Sequence, residues 1–202
     1  MNINSEEQEL KDRLSLIETM IAEGRRTTES YGWTFLLWGV AYYVAILWAA
    51  LGHNYLAWPV TMIGATVLMA LIVWFKSSHR GYRPGTAKSR AIWGTWIAMA
   101  ISMFVVLDAL GFSGRLTDGH ISIAVAATLI GTANAASSII LTWKLQFACA
   151  VVWWAAVVVS CFGTGRQGSI AFLAAIFLCQ IVFGAYLMIA EAHQRGKAAI
   201  HA

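Results

Sequence analysis

The stretch that decides the fold runs from residue 121 to residue 162 and reads ISIAVAATLIGTANAASSIILTWKLQFACAVVWWAAVVVSCF. It contains a single charged residue, Lys144, which follows Trp143 where one apolar run ends and the next begins. An α-helix needs about 20 residues to cross the ~30 Å hydrocarbon core of a bilayer. Trp153 and Trp154 fall near the middle of the second run, where tight packing or a stacked ligand would explain them. The stretch predicts two antiparallel membrane-spanning helices joined by a tight turn.

Three further apolar runs precede this pair and one follows it, after a predicted glycine-rich turn at residues 163–168. Lipid offers no partners for backbone N–H and C=O groups, so spanning segments of this length are helices. The short connections place consecutive helices side by side. The sequence therefore predicts an all-α integral membrane protein, a compact six-helix transmembrane bundle over residues 33–190. The predicted spans are Trp33–Leu51, Tyr55–Phe75, Ala91–Leu110, Ile121–Leu141, Leu145–Phe162 and Ser169–Ala190.

The composition of the chain excludes an ordinary water-soluble fold. Of the 202 residues, 59% are hydrophobic and 12% are charged, and the mean hydropathy is +0.65. Water-soluble domains carry about 25% charged residues, so this chain has too few polar side chains to cover a water-exposed surface. The pI of 9.1 does not indicate nucleic-acid binding, because the basic residues are spread along the predicted membrane edges. The lipid bilayer is the predicted partner, and nucleic acid is not.

The distribution of Lys and Arg predicts the orientation of the helices. Cytoplasmic loops carry an excess of these residues, and twelve of the fourteen lie on the side of the two termini. Only Arg115 and Arg166 lie on the opposite side, so both termini are predicted to be cytoplasmic. The first seven residues are acidic and lack the apolar segment of a signal peptide, so no cleavable signal is predicted ahead of the first span. The twelve are Lys11, Arg13, Arg25, Arg26, Lys76, Arg80, Arg83, Lys88, Arg90, Lys144, Arg195 and Lys197.

Residues 1–32 are predicted to form a cytoplasmic amphipathic helix and a juxtamembrane anchor, and residues 191–202 a cytoplasmic tail. The apolar positions of the helix recur at spacings of four, three and four, which places them on one face. Helices that lie on anionic lipid favour Lys and Arg, whereas residues 5–30 hold seven acidic and four basic residues. We therefore favour a protein contact over a lipid contact, either with a second copy or with another protein at the cytoplasmic face. The contact residues are Leu10, Leu14, Ile17 and Ile21.

The opening of the first span carries a resemblance to known proteins. Residues 23–33 read EGRRTTESYGW and are followed by Leu37-Trp38-Gly39. This pattern resembles the opening of a broad group of small bacterial membrane proteins to which no chemistry is assigned, and it covers about a tenth of the chain. The resemblance implies a bacterial inner membrane.

Two short motifs are similar to those of rhomboid proteases, which also have six spans. Residues 111–114 read GFSG, similar to the serine motif G-x-S-G, and residues 192–196 read AHQRG, similar to A-H-x-x-G. A catalytic serine must lie about 3 Å from its histidine to transfer a proton. The predicted topology places Ser113 in an outer loop and His193 at the inner end of the last span, roughly a bilayer thickness apart. The sequence therefore predicts no catalytic residues and no enzyme activity.

Neutral polar residues are the functional candidates inside the predicted bundle. Ionisable side chains within spans are usually functional, but the only acid within a predicted span is Asp108, near its outer end. The fourth span carries small and polar residues at helical spacing, and Gln180 needs a partner such as Asn134 or Ser102. Such residues either join helices through hydrogen bonds or line a pathway for a small solute or ion. The candidate residues are Thr128, Thr132, Asn134, Ser138 and Gln180.

A cluster of polar residues at the outer rim is the remaining candidate site. Two histidines and two carboxylates can bind zinc, but their spacing matches no local metal-binding motif, so no metal and no cofactor are predicted. The cysteines Cys149, Cys161 and Cys179 are interpreted as small packing residues, because an odd number of thiols argues against a disulfide framework. The outer-rim cluster comprises His53, Asp108, Arg115, Asp118 and His120.

Two functional hypotheses follow from these patterns. The first is a non-catalytic inner-membrane module that self-associates or serves as an accessory or regulatory subunit through its N-terminal helix. The alternative is a small-solute or ion transporter or channel, lined by the polar face of the fourth span and Gln180.

Overall fold

The computed structural model describes residues 32–52, 56–80, 87–114 and 119–200, which form helices and contain no strand. Within these ranges, six helical stretches are long and apolar enough to cross a membrane. This confirms the predicted all-α class and the six long apolar helices, which suggest a multi-pass membrane protein. The elements are α1 (Gly32–Gly52), α2 (Ala57–Arg80), α3 (Ala87–Phe112), α4 (Gly119–Leu141), α5 (Lys144–Phe162), α6 (Gly165–Ile176), a π segment (Phe177–Val182) and α7 (Phe183–Ile200).

Several predicted features fall outside the described residues. They include the N-terminal amphipathic helix with its contact residues Leu10, Leu14, Ile17 and Ile21. Three members of the predicted outer-rim cluster, His53, Arg115 and Asp118, also lie outside these ranges. What the sequence predicts for these residues therefore remains a prediction.

The sixth span begins earlier than the sequence analysis predicts. Thr164 and Gln167 form a capping box, in which the Thr164 backbone N–H donates to Gln167 Oε1 at 2.8 Å and the Gln167 N–H donates to Thr164 Oγ1 at 3.4 Å. This reciprocal pair satisfies backbone donors that a helix start leaves free. The helix therefore starts at Gly165, and the predicted glycine-rich turn over residues 163–168 is wrong in its second half.

Helices α4 and α5 form the most extensive helix pair of the bundle. The turn between them is a Schellman motif, with backbone hydrogen bonds from Trp143 N–H to the Ser138 carbonyl at 2.9 Å and from Thr142 N–H to the Ile139 carbonyl at 3.3 Å. Thr142 takes the left-handed conformation, with φ of 55°. The predicted antiparallel hairpin at this turn is confirmed.

Helix α1 packs against the last span through glycines. A Cβ atom added at Gly39 would lie 2.7 Å from Ile181 Cδ1 and 2.8 Å from Gln180 Cβ. One added at Gly184 would lie 3.0 Å from the Gly32 carbonyl oxygen. The two helices therefore approach more closely than any larger side chain would permit.

Helices α2 and α3 lie at the edge of the bundle. Helix α2 packs on α1, with the rings of Trp58 and Tyr42 6.3 Å apart, and α3 packs on α4 and reaches Phe35 of α1 through Trp96 at 5.9 Å. Most of the apolar side chains of α2 and α3 are exposed. The core is instead built from α1, α4, α5 and the last span, including Phe35, Ile130, Trp153, Ile176 and Phe183.

Candidate functional site

The structure separates the predicted pathway residues into two groups. Asn134, Ser138 and Gln180 are buried, whereas Thr128 and Thr132 are exposed on the other side of α4. The two threonine hydroxyls donate to carbonyl oxygens of their own helix, Thr128 to Ala124 at 2.7 Å and Thr132 to Thr128 at 2.9 Å. A hydroxyl satisfied in this way can face an apolar medium. The five predicted residues therefore do not line one interior surface.

Six buried side-chain oxygens lack a hydrogen-bond partner within the described part of the chain, and those of Thr61 and Ser160 lie apart from the other four. Asn134 uses its Nδ2 to donate to the Ile130 carbonyl at 3.0 Å, which leaves its Oδ1 unpaired. The predicted bonds from Gln180 to Asn134 or Ser102 do not form, and Ser102 is exposed on α3. An unsatisfied buried polar group costs about 1–3 kcal/mol. We call the other four residues with unpaired oxygens the polar layer: Asn134, Ser137, Gln146 and Gln180.

The polar layer occupies one end of the bundle, near the α4–α5 turn. At a rise of about 1.5 Å per residue, Asn134, Ser137 and Gln146 lie roughly 6–12 Å from that turn along the bundle. Gln180 follows Cys179, whose thiol contacts α5 at Cys149, so it lies at a similar depth. The sequence analysis missed Ser137 and Gln146, although polar residues within apolar runs were the available signal.

The π segment is the irregular part of the last span, and it carries Gln180. Its hydrogen bonds run from residue i to residue i+5, an arrangement that often occurs at functional sites. Two consecutive side chains of the segment, Cys179 and Gln180, are 1% and 2% exposed. The sequence analysis predicted an unbroken span here, and no local signal marked the change.

His120 is the outer-rim residue whose contacts are clearest. Its Nδ1 lies 3.2 Å from the Ser160 carbonyl oxygen at the end of α5, and a Cβ at Gly165 would lie 2.9 Å from its Nε2. His120 thus joins α4, α5 and the start of α6. Asp108 is half-buried on α3. Within the described ranges, no group of three or more His, Cys, Asp or Glu side chains is arranged to hold a metal.

The two rhomboid-like motifs lie at opposite ends of the bundle. Ser113 directly follows α3, at the end where α4 begins, and its Oγ donates to the Leu110 carbonyl at 3.0 Å. His193 ends the last apolar stretch, which begins at the Ser113 end and crosses to the other. The antiparallel arrangement agrees with the separation that the sequence predicts.

The adjacent tryptophans have different environments. Trp153 is fully buried, and its ring meets Phe172 edge-on with centroids 5.6 Å apart. Trp154 is 37% exposed and covers α4 at Gly131, where an added Cβ would lie 2.7 Å from Trp154 Nε1. Both rings pack against other helices of the bundle, but Trp153 Nε1 is buried and lacks a hydrogen-bond partner among the described residues.

Comparison of the chain with models of protein families, with curated proteins and with solved structures finds no match. The resemblance of the first span's opening to small bacterial membrane proteins rests on its sequence pattern. The functional conclusions below accordingly rest on the residues of this chain.

Proposed function

We propose that the protein is a non-catalytic module of a bacterial inner membrane, with both termini in the cytoplasm, that self-associates or serves as an accessory or regulatory subunit. The observation that carries the proposal is an exposed face of α3 on which the residues are small except for Val105, which is 59% exposed. Small residues let two membrane helices approach closely enough for backbone contact. We call this face the α3 stripe: Ala91, Gly94, Ala98, Ser102 and Ala109, all exposed.

The α3 stripe is separate from the face through which α3 packs on the bundle. Trp96, Met99 and Met103 turn toward the core. A Cβ added at Gly94 would meet nothing within 4 Å in the described chain. A second copy presents the same stripe, so a two-fold pairing would bring small residues against small residues. We therefore favour a second copy as the occupant of this face.

The N-terminal helix is proposed to add a cytoplasmic contact to this association. Its apolar face of Leu10, Leu14, Ile17 and Ile21 amounts to about two heptads, too short for a stable free coiled coil. Tethering to the bilayer raises the local concentration of such helices. The contact between N-terminal helices is therefore proposed to strengthen a dimer that forms through α3.

We expect cysteine crosslinking to distinguish the two sides of α3. In a Cys161→Ala background, Ser102→Cys is expected to form disulfide-linked dimers in oxidised native membranes, because its side chain lies on the stripe. The matched control is Phe104→Cys, two residues on and about 160° around the helix, which is expected to remain monomeric. Alanines at Leu14, Ile17 and Ile21 are expected to lower the dimer yield.

Equal crosslinking at residues 102 and 104, or none at residue 102, would contradict self-association through α3. A specific adduct between Ser102→Cys and another protein, identified by mass spectrometry and lost in Phe104→Cys, would assign the accessory role instead. An undiminished yield in the triple-alanine variant would remove the N-terminal helix from the proposal.

The polar layer favours a second candidate function, a small-solute or ion transporter or channel. Unpaired oxygens on α4, α5 and the π segment offer acceptors to a passing solute in an otherwise apolar interior. Thr128 and Thr132 take no part in this version, because they are exposed and bonded to their own helix. The proposed pathway therefore runs past Asn134, Ser138 and Gln180, together with Ser137 and Gln146 of the polar layer.

Flux through reconstituted vesicles tests this candidate. If glycerol or urea passes through the polar layer, Asn134→Leu is expected to slow vesicle swelling by about tenfold, because one lost hydrogen bond of roughly 1–1.5 kcal/mol raises the barrier by that factor. Thr132→Val, on the exposed side of the same helix, is expected to leave the rate unchanged. Stopped-flow light scattering measures both. Swelling no faster than in empty vesicles would refute transport of these solutes.

A further inference from the structure

The last span is held by different helices on the two sides of its π segment. Helix α6, before the segment, packs on α4 and α5, whereas α7, after it, has an extensive contact only with α1 among the other described helices. In α6, the Phe172 ring meets that of Trp153 with centroids 5.6 Å apart, and Ala175 and Ile176 are fully buried. The π segment therefore joins a half that belongs to the core to a half that belongs to α1.

Helix α1 contacts the last span before, within and after the π segment. The Tyr43 hydroxyl donates to the Leu173 carbonyl of α6 at 3.0 Å. Gly39 lies against the π segment itself. Gly184 of α7 lies against the backbone of α1, where an added Cβ would be 3.0 Å from Leu36 N. These contacts fix the alignment of α7 relative to α6.

A π segment contains one residue more than an α-helix that turns through the same angle. Its wider turns, with hydrogen bonds from residue i to residue i+5, place each later residue where the preceding one would lie in a continuous α-helix. If the span became α-helical throughout with α6 held in place, every residue of α7 would move to the position now held by the next. Phe183 would then take the place of Gly184, and Tyr186 that of Leu187. Such a change turns α7 by about 100°.

The contact with α1 excludes this second arrangement. A Phe side chain cannot occupy the position of Gly184, because even a Cβ there would lie 3.0 Å from Leu36 N and from the Gly32 carbonyl oxygen. Stretches of π-helix are rare, which indicates that the α-helix is the more favourable form of an unconstrained chain. Packing against α1 therefore maintains the π segment.

We propose that the last span is a two-state element in which α1 selects between two registers. The π register is the one described above, and in the α register the span is α-helical throughout, with α7 turned by one residue. Displacement of α1 permits the second register, which carries Tyr186, now 55% exposed, to the position of Leu187, now 7% exposed. Movement of α1 thereby alters the face that α7 presents to its surroundings. The inference does not depend on either function proposed above.

A distance between two spin labels on the reconstituted full-length protein reports the register. In a Cys161→Ala background, Ile139→Cys on α4 and Ile189→Cys on α7 place the labels at positions that are 71% and 62% exposed. Pulsed electron paramagnetic resonance measures the distance. Adding Gly39→Leu, which displaces α1, is expected to shift it by up to about 8 Å, because side chains lie roughly 5–6 Å from the helix axis and α7 turns by about 100°.

Deletion of Leu178 distinguishes a change of register from a simple loss of contact. Leu178 lies in the π segment and is 48% exposed. With one residue fewer, a continuous α-helix places α7 where it lies now, so the deletion alone is expected to leave the label distance unchanged. Combined with Gly39→Leu, it is expected to restore the original distance, since no extra residue remains to be released.

A deletion in a regular helix is the matched control. Val151 of α5 is 49% exposed, and its deletion is expected to lower the melting temperature, whereas deletion of Leu178 is expected to keep it. An unchanged label distance in Gly39→Leu, or a shifted one that persists in the combined variant, would overturn the proposal. If Gly39→Leu does not fold, the deletions still decide: equal losses of melting temperature for Leu178 and Val151 would show that the π segment holds no extra residue.

Discussion

Replacing Gly39 with leucine is expected to separate α1 from the last span and to lower the free energy of unfolding by about 3 kcal/mol, near the upper end of the usual range for overpacking. Even the first added carbon would lie 2.7 Å from Ile181 Cδ1 and 2.8 Å from Gln180 Cβ. Ile181 Cδ1 ends a flexible side chain and can turn aside, but Gln180 Cβ is fixed to the backbone and Gln180 is buried, so the π segment itself must shift. Unfolding in mixed detergent micelles, followed by tryptophan fluorescence, measures the change.

Gly64→Leu is the matched control for this experiment. Gly64 also lies within an apolar helix, but an added Cβ there would meet nothing within 4 Å in the described chain. We expect its stability to stay within about 0.5 kcal/mol of the wild-type value, as for surface substitutions in general. Comparable losses at Gly39 and Gly64 would mean that the close approach of α1 to the last span is not the cause.

The second large effect is expected at Trp153. Trp153→Ala is expected to lower the free energy of unfolding by about 3–5 kcal/mol, because it leaves a cavity beside Phe172 at the centre of the core. The cost does not depend on water, since the atoms that line a cavity lose their dispersion contacts in any medium. The same unfolding assay, with near-ultraviolet circular dichroism to report core packing, measures it.

The adjacent residue supplies the control for this substitution. Trp154 is 37% exposed, so detergent or lipid can occupy the space that Trp154→Ala leaves, and we expect a loss below about 1.5 kcal/mol. A larger loss at Trp154 than at Trp153 would contradict the assignment of Trp153 as the central core residue. Equal losses would show that the α4–α5 contact at Gly131 matters as much as the core.

Together, these predictions separate close helix packing from the possible sites. The Gly39 and Trp153 variants test the packing of the bundle, and the Ser102 variant tests the outer face of α3. Gly39 and Gln180 touch, so a displaced α1 is expected to disturb the polar layer as well.

Local sequence signals predicted the helices well and their details in part. The apolar runs marked all six spans, because a helix must satisfy its own backbone in lipid. The capping box at Thr164 and Gln167 was also present in the sequence, yet the nearby glycines suggested a turn. The π segment had no comparable signal, since its hydrogen-bond pattern depends on how the last span packs against α1 and α5.

The inward faces of the helices were the main feature that the sequence analysis could not assign. In a water-soluble protein, polar residues mark the outer side of a helix, whereas an apolar surrounding removes that contrast. Thr128 and Thr132 therefore resembled Asn134 and Ser138 in the sequence, although the two groups lie on different sides of α4.

By itself, the sequence determined the helical class, the number and length of the apolar stretches and the position of the α4–α5 turn. These follow from composition and from hydrogen bonds within each helix, which need no other part of the chain. Only the tertiary structure decided that α2 and α3 lie at the edge of the bundle, that Trp153 is central, and that Cys149 meets Cys179. Such features depend on contacts between residues far apart in sequence, and in a uniformly apolar chain only the fit of small and large side chains selects them.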